Sequence, residues 1–121
     1  MRVMIATDLE GISGVCVWEQ TRDRTTLYYQ EARRLLMGDV NAAIEGCLAG
    51  GATEVVVSDG HGGGFNLVPE LMHPKARYLT GTQRPPMSQR AHIYKGFDAL
   101  ILLGYHAMAG TADGILRHTQ S

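Results

Sequence analysis

The chain has 121 residues, enough for a single domain near the lower end of the usual size range. Its 45% hydrophobic content argues against a disordered segment, and 11 Lys plus Arg against 12 Asp plus Glu, a net charge of −1, leaves no electrostatic footprint for nucleic acid or an anionic membrane. The run Arg22, Arg24, Arg33 and Arg34 is interleaved with Glu19, Asp23 and Glu31 and reads as a solvated, ion-paired face.

Arg2–Thr7 is a short apolar run heading straight into Asp8, which predicts a first strand. Asp8 also arrives too early for the apolar core of a signal peptide. Gly11 and Gly14 punctuate a loop that continues past Trp18. From about Thr26, apolar residues fall at Tyr28, Ala32, Leu35, Leu36, Val40, Ala43, Ile44, Cys47 and Leu48. These steps of three and four predict an amphipathic helix ended by Gly50-Gly51. Cys16 and Cys47 make no CxxC pair, so they read as free thiols of a reducing compartment. Thr53–Ser58 is a β-branched run without polar alternation, the pattern of a parallel strand buried on both faces.

A glycine-rich loop follows from Asp59 to Gly64. Leu67–Met72 predicts one or two helical turns before Pro74, and Arg77–Leu79 a short third strand. Thr82–His92, with its Pro85-Pro86 pair, is irregular or briefly helical. Asp98–Leu103 repeats the buried-strand pattern and runs into Gly104-Tyr105-His106; beyond it the chain is loop-like to Ser121. No run approaches the ~20 apolar residues of a membrane helix, so a soluble cytoplasmic protein is expected. Strand, helix, strand and a later buried strand predict an α/β fold: a three-layer αβα arrangement with a mostly parallel sheet, ligands binding at the carboxyl ends of its strands.

Three strand exits carry chemistry. The first ends in Asp8-Leu9-Glu10, the second in Ser58-Asp59-Gly60-His61, the last in Gly104-Tyr105-His106. In a parallel sheet these ends share one edge, so two carboxylates and two imidazoles converge. Carboxylate oxygen and neutral imidazole nitrogen suit Zn²⁺, with Mn²⁺ or Co²⁺ as substitutes. Asp8, Glu10, His61 and His106 are therefore the candidate metal ligands. Taken singly, a His after a strand or a lone D-x-E is an ordinary loop feature; the coincidence at three exits carries the reading. Asp59 reads as a carboxylate that shapes the turn or orients an imidazole. His73 and His92 sit in polar loops and read as surface residues. His61-Gly62-Gly63-Gly64 matches an oxyanion-hole motif of lipases, but Gly11-Ile12-Ser13-Gly14-Val15 lacks the final glycine of the matching nucleophile elbow. No nucleotide-binding glycine motif is present.

Asp8-Leu9-Glu10-Gly11-Ile12-Ser13-Gly14, Ser58-Asp59-Gly60-His61, Leu103-Gly104-Tyr105-His106-Ala107 and Gly114-Ile115-Leu116-Arg117-His118-Thr119 together resemble the D-aminopeptidases of the DppA type, the M55 metallopeptidases. The likeness covers essentially the whole chain. It implies a centre of two zinc ions in which Asp8 bridges, Glu10 and His61 complete one metal, His106 serves the other, and His118 is catalytic. It also implies short peptide substrates with a free N-terminus, removal of a D-configured residue, and large homo-oligomers. Two metals ~3.5–4 Å apart can share a hydroxide and polarise the scissile carbonyl, while a nearby imidazole moves the proton. Two departures stand out. Pro86-Met87-Ser88-Gln89-Arg90-Ala91 replaces a Met-rich S-M-M-x-G stretch. The family chains are roughly twice as long, with a further Glu ligand, whereas no Glu follows Glu70 here. Residues 1–121 are accordingly expected to be the N-terminal part of a longer family domain. The rival expectations are a non-catalytic metal-binding or assembly unit, and an amidase or esterase on the same site.

Overall fold

The structure is a computed structural model that describes residues 1–82 and 86–120. Strands β1 (Arg2–Thr7), β2 (Glu54–Asp59), β3 (Arg77–Leu79) and β4 (Ala99–Leu103) form one all-parallel sheet in the order β3-β2-β1-β4. The chain moves from β1 to one side and returns to the other, so strand order reverses at β1, where crevices open in such sheets. Thr7 stands level with Asp59 on one flank and with Leu103 on the other. The three strands therefore release their chains at the same height.

Helix α1 (Leu27–Ala49) covers one face of the sheet. It begins where the Thr26 hydroxyl accepts the Tyr29 amide at 3.1 Å, a side-chain cap for an otherwise unpaired donor. It ends at Gly50, whose amide donates to Gly46. Its buried stripe is Tyr29, Ala32, Leu36, Met37, Val40 and Ile44, against Val3, Ile5, Val55 and Val57. At the first turn the expected residue was the wrong one: Tyr28 is exposed, and Tyr29 turns inward because its hydroxyl donates to the Asn66 side chain. Burying this stripe, at roughly 1.5–3 kcal/mol per large side chain, is the main source of stability.

Two other expectations needed correction. The segment predicted helical over Leu67–Met72 is a single 3-10 turn, Pro69–Leu71, since Pro69 has no amide to extend it backwards. The last strand, expected to be buried on both faces, is buried on neither completely. Leu100 and Leu102, which share one face of β4, are 55% and 59% exposed, because the described residues cover that face only in part. On that face Tyr94 and Phe97 flank Met4. They belong to the stretch after helix α2 (Met87–Arg90), which runs into a 3-10 turn at Ala91–Tyr94. Part of the segment expected to be irregular, 83–85, lies outside the described residues.

The tail returns to the sheet edge. Leu116 joins the core at 8% exposure, and Met108 bridges His118 in parallel fashion. Among the described residues no helix is long and apolar enough to cross a membrane.

Candidate metal centre

The three strand exits are packed backbone to backbone. Asp8 donates its amide to the Leu103 carbonyl at 2.9 Å, and Gly11 donates to Gly104 at 2.7 Å. A methyl group on Gly60 would strike the Thr7 carbonyl, and one on Gly104 would strike that of Asp8. Gly104 also has φ +75°, a conformation costly to other residues. Only glycine lets the chains leaving β1, β2 and β4 lie this close, which brings their side chains together.

Asp8 and Glu10 are 6% and 5% exposed and lie between three imidazoles. Asp8 splits its oxygens: Oδ1 is 3.1 Å from His61 Nδ1, and Oδ2 is 3.6 Å from His106 Nε2. Glu10 does likewise, with Oε2 3.3 Å from His61 Nδ1 and Oε1 3.9 Å from His118 Nε2. Two groups of candidate ligands result, Asp8 with Glu10 and His61, and Glu10 with His106 and His118, each with its atoms within 4.8 Å of one another. The structure thus brings all four predicted ligands and His118 into one cluster. It also seats His118 at ligand distance, stacked on His106 with ring centroids 3.4 Å apart.

Each imidazole turns its outer nitrogen to a backbone carbonyl. His61 Nε2 meets Thr21 at 2.9 Å, His106 Nδ1 meets Ala107 at 2.9 Å, and His118 Nδ1 meets Leu116 at 2.8 Å. A carbonyl only accepts, so the outer nitrogen carries the proton and the inner one faces the carboxylates. This arrangement fixes each ring with its inner nitrogen aimed at the carboxylates, the orientation that metal-binding histidines require.

Burial disfavours the His61 imidazolium, but Asp8 and Glu10 outweigh it and push the His61 pKa up to about 10. Burial would raise Glu10, yet its contacts with His61 and Asp8 hold it down at about 2. Glu10 Oε2 remains buried without a hydrogen-bond partner, despite the ionic approach of His61. An orphaned carboxylate oxygen among imidazole nitrogens fits a bound Zn²⁺ by both position and donor chemistry.

The loop presenting His61 is held from beneath by Asp59, fully buried. Its oxygens accept the Asn66 amide and side chain, each at 2.7 Å, the Leu67 amide at 3.2 Å and the Thr80 hydroxyl at 3.0 Å. Asn66 in turn donates to the His61 carbonyl at 2.6 Å. Asp59 therefore shapes the turn, as expected, and it reaches His61 through Asn66. His73 pairs with Glu45 far from the centre.

Several site residues escaped the sequence reading. Trp18 meets the His118 ring edge-on at 5.6 Å and carries Arg22 on its face at 3.7 Å. Tyr105, Tyr94, Thr82 and Arg90 line the cavity of about 560 Å³ over the ligands. Tyr105 lay within a strand-exit motif already recognised and could have been found there; Arg90 and Tyr94 carried no spacing signal.

The D-aminopeptidase family model matches residues 1–121. The D-aminopeptidase of Bacillus subtilis (strain 168) is 32% identical over 119 residues, covering 98% of this chain and 42% of that protein. The solved structure described as the Zn-dependent D-aminopeptidase DppA from Bacillus subtilis, a self-compartmentalizing protease, superposes with a TM-score of 0.88 at 31% identity, over 100% of this chain and 43% of that one. The chain thus spans about two-fifths of the length of these relatives. With a match to the family model over its full length and a third of its residues shared with a curated member, the chain belongs to the Peptidase M55 (D-aminopeptidase) family.

Proposed function

We propose that this chain carries the zinc site of an aminopeptidase that hydrolyses the N-terminal, D-configured residue of short peptides. The observation that carries the reading is the two-sided carboxylate pair: Asp8 and Glu10 each divide their oxygens between imidazoles on opposite sides. Such a pair has places for two ions, one beside His61 and one beside His106. Zinc, when bound, supplies Lewis acidity toward a scissile carbonyl and makes water a better acid.

The remaining work falls to side chains. His118 is part-exposed at the cavity wall, with its Nδ1 proton committed to Leu116 and its Nε2 free to carry a proton to the leaving amine. Trp18 limits the tilt of that ring. The D-preference, assembly into homo-oligomers and a cytoplasmic location extend what is said of the Bacillus subtilis relatives and what the two free cysteines suggest.

Turnover of D-alanyl and L-alanyl p-nitroanilides, with and without added zinc, tests the reading. Zinc-dependent release from the D-substrate alone is expected. Equal release from both would remove the D-preference, and zinc binding without release would leave a metal-binding or assembly unit. That second reading is favoured by the exposed Leu100 and Leu102, an apolar strip suited to packing against more polypeptide.

A further inference from the structure

Among its described lining residues, the cavity over the metal centre has one permanently charged cation, Arg90, at the end of α2. The lining carboxylates, Asp8 and Glu10, are already faced by His61, His106 and His118. No carboxylate among the described residues pairs with Arg90, and its Nε is buried without a hydrogen-bond partner. Enclosing one guanidinium nitrogen without an acceptor is costly, and the cation that lines the cavity is left without a carboxylate partner among the described residues, so an anionic group of a bound ligand would offset that cost. The planar fork of arginine matches a carboxylate, which it grips with two parallel hydrogen bonds. Arg90 also falls in the Pro86–Ala91 stretch where this chain departs from the family's sequence pattern, so its role cannot be carried over from relatives.

We infer that Arg90 binds a carboxylate of the substrate and selects short peptides that carry one beyond the scissile bond. The inference rests on the peptidase reading and narrows its substrate class. A cavity of about 560 Å³ lies in the usual range for small-ligand sites, and an extended dipeptide at ~3.3–3.6 Å per residue is short enough for it. Two sources offer the same chemistry: the C-terminal carboxylate of a dipeptide, or an acidic side chain on the second residue.

Three ligands separate the possibilities: D-alanyl-D-alanine, its C-terminal amide, and D-alanyl-D-glutamate amidated at its C-terminus. Calorimetric titration of the zinc-free chain reads binding without turnover, and kcat/KM of the zinc-loaded chain gives a second measure. A carboxylate-bearing ligand should be preferred over the neutral amide by roughly 10- to 100-fold, as a charged hydrogen-bonding pair provides. In Arg90→Gln the preference should vanish while the neutral amide, the zinc content and the melting temperature are unchanged. Arg90→Lys, which keeps the charge and loses the fork, should retain only part of it. Preference for the dipeptide acid assigns the C-terminal carboxylate; preference for the amidated glutamate assigns the side chain. Equal binding of all three, no binding of any, or a preference that survives in Arg90→Gln would overturn the inference. Failure of the peptidase reading would register separately, as absent zinc-dependent release from alanyl p-nitroanilides with carboxylate selectivity intact.

Discussion

At the scale of single residues, the proposed reading gives Asp8 a role in binding zinc and His118 a role in the chemistry. Asp8 faces His61 with one oxygen and His106 with the other, so under the proposed two-ion reading its loss would disturb both positions. Among alanine variants of Asp8, Glu10, His61 and His106, Asp8→Ala should lose the most zinc by elemental analysis; full occupancy in that variant would refute the bridging role. His118→Ala should keep its zinc and lower kcat by about 10²–10⁴, the usual effect of removing a positioned proton-transfer group. Zinc lost along with activity would instead make His118 a ligand, a result its place beside Glu10 and His106 makes worth measuring. Acidity gives a further check. The His61 pKa stands at about 10, above its ordinary 6.5, so in the zinc-free chain its contribution to stability is complete below 6.5 and lost as pH rises toward 10. Glu10, held at about 2, contributes above its ordinary 4.5 and loses that contribution as pH falls toward 2. Under the proposed reading, zinc bound at His61 would displace its proton. Calorimetry in buffers of different ionisation enthalpy should therefore find about one proton released per zinc at this position near pH 8, with affinity increasing with pH. Proton-free uptake would contradict the charged state of His61.

At the scale of elements, the glycine at the exit of β4 is the tightest constraint. Gly104→Ala would place a methyl group against the Asp8 carbonyl at φ +75°, and should destabilise the fold by about 1–3 kcal/mol in urea unfolding. It should also weaken zinc binding, because the displaced backbone is that of a ligand. Unchanged stability and zinc binding would mean the exits tolerate separation. Periodicity and β-branching predicted β1, α1, β2 and β3 nearly to the residue, since their faces are decided by local pattern and burial together. The convergence of Asp8, Glu10, His61 and His106 was also legible in advance, because sheet topology places strand exits on one edge whatever lies between them. Tyr29 was missed because its burial depends on Asn66, 37 residues away, and no local period encodes that bond. Arg90 was missed for a similar reason: its Nε has no hydrogen-bond partner among the described residues, which only the folded arrangement reveals. The apolar run of β4 marks a strand but does not say what covers its faces, so the exposure of Leu100 and Leu102 follows from the absence of a helix after it among the described residues.

At the scale of the whole molecule, β4 leaves a flat apolar strip along an open sheet edge, a surface that invites pairing with another copy. The chain alone should elute from size-exclusion chromatography above its monomer mass, and Leu100→Lys with Leu102→Lys should shift it toward monomer without altering zinc content. A monomeric wild-type chain would remove this expectation. The parallel topology also has a kinetic consequence. The ligand group around His61 forms when β1 meets β2, joining residues 53 apart such as Asp8 and His61. The group around His106 must wait for β1 to meet β4, which aligns Arg2 with Asp98 across 96 residues. Closing the longer loop is the slower event. If the chain holds two zinc ions as proposed, refolding in the presence of zinc should fill the positions in sequence, the one beside His61 first, and a half-loaded intermediate would mark the moment when the sheet is complete on one side only.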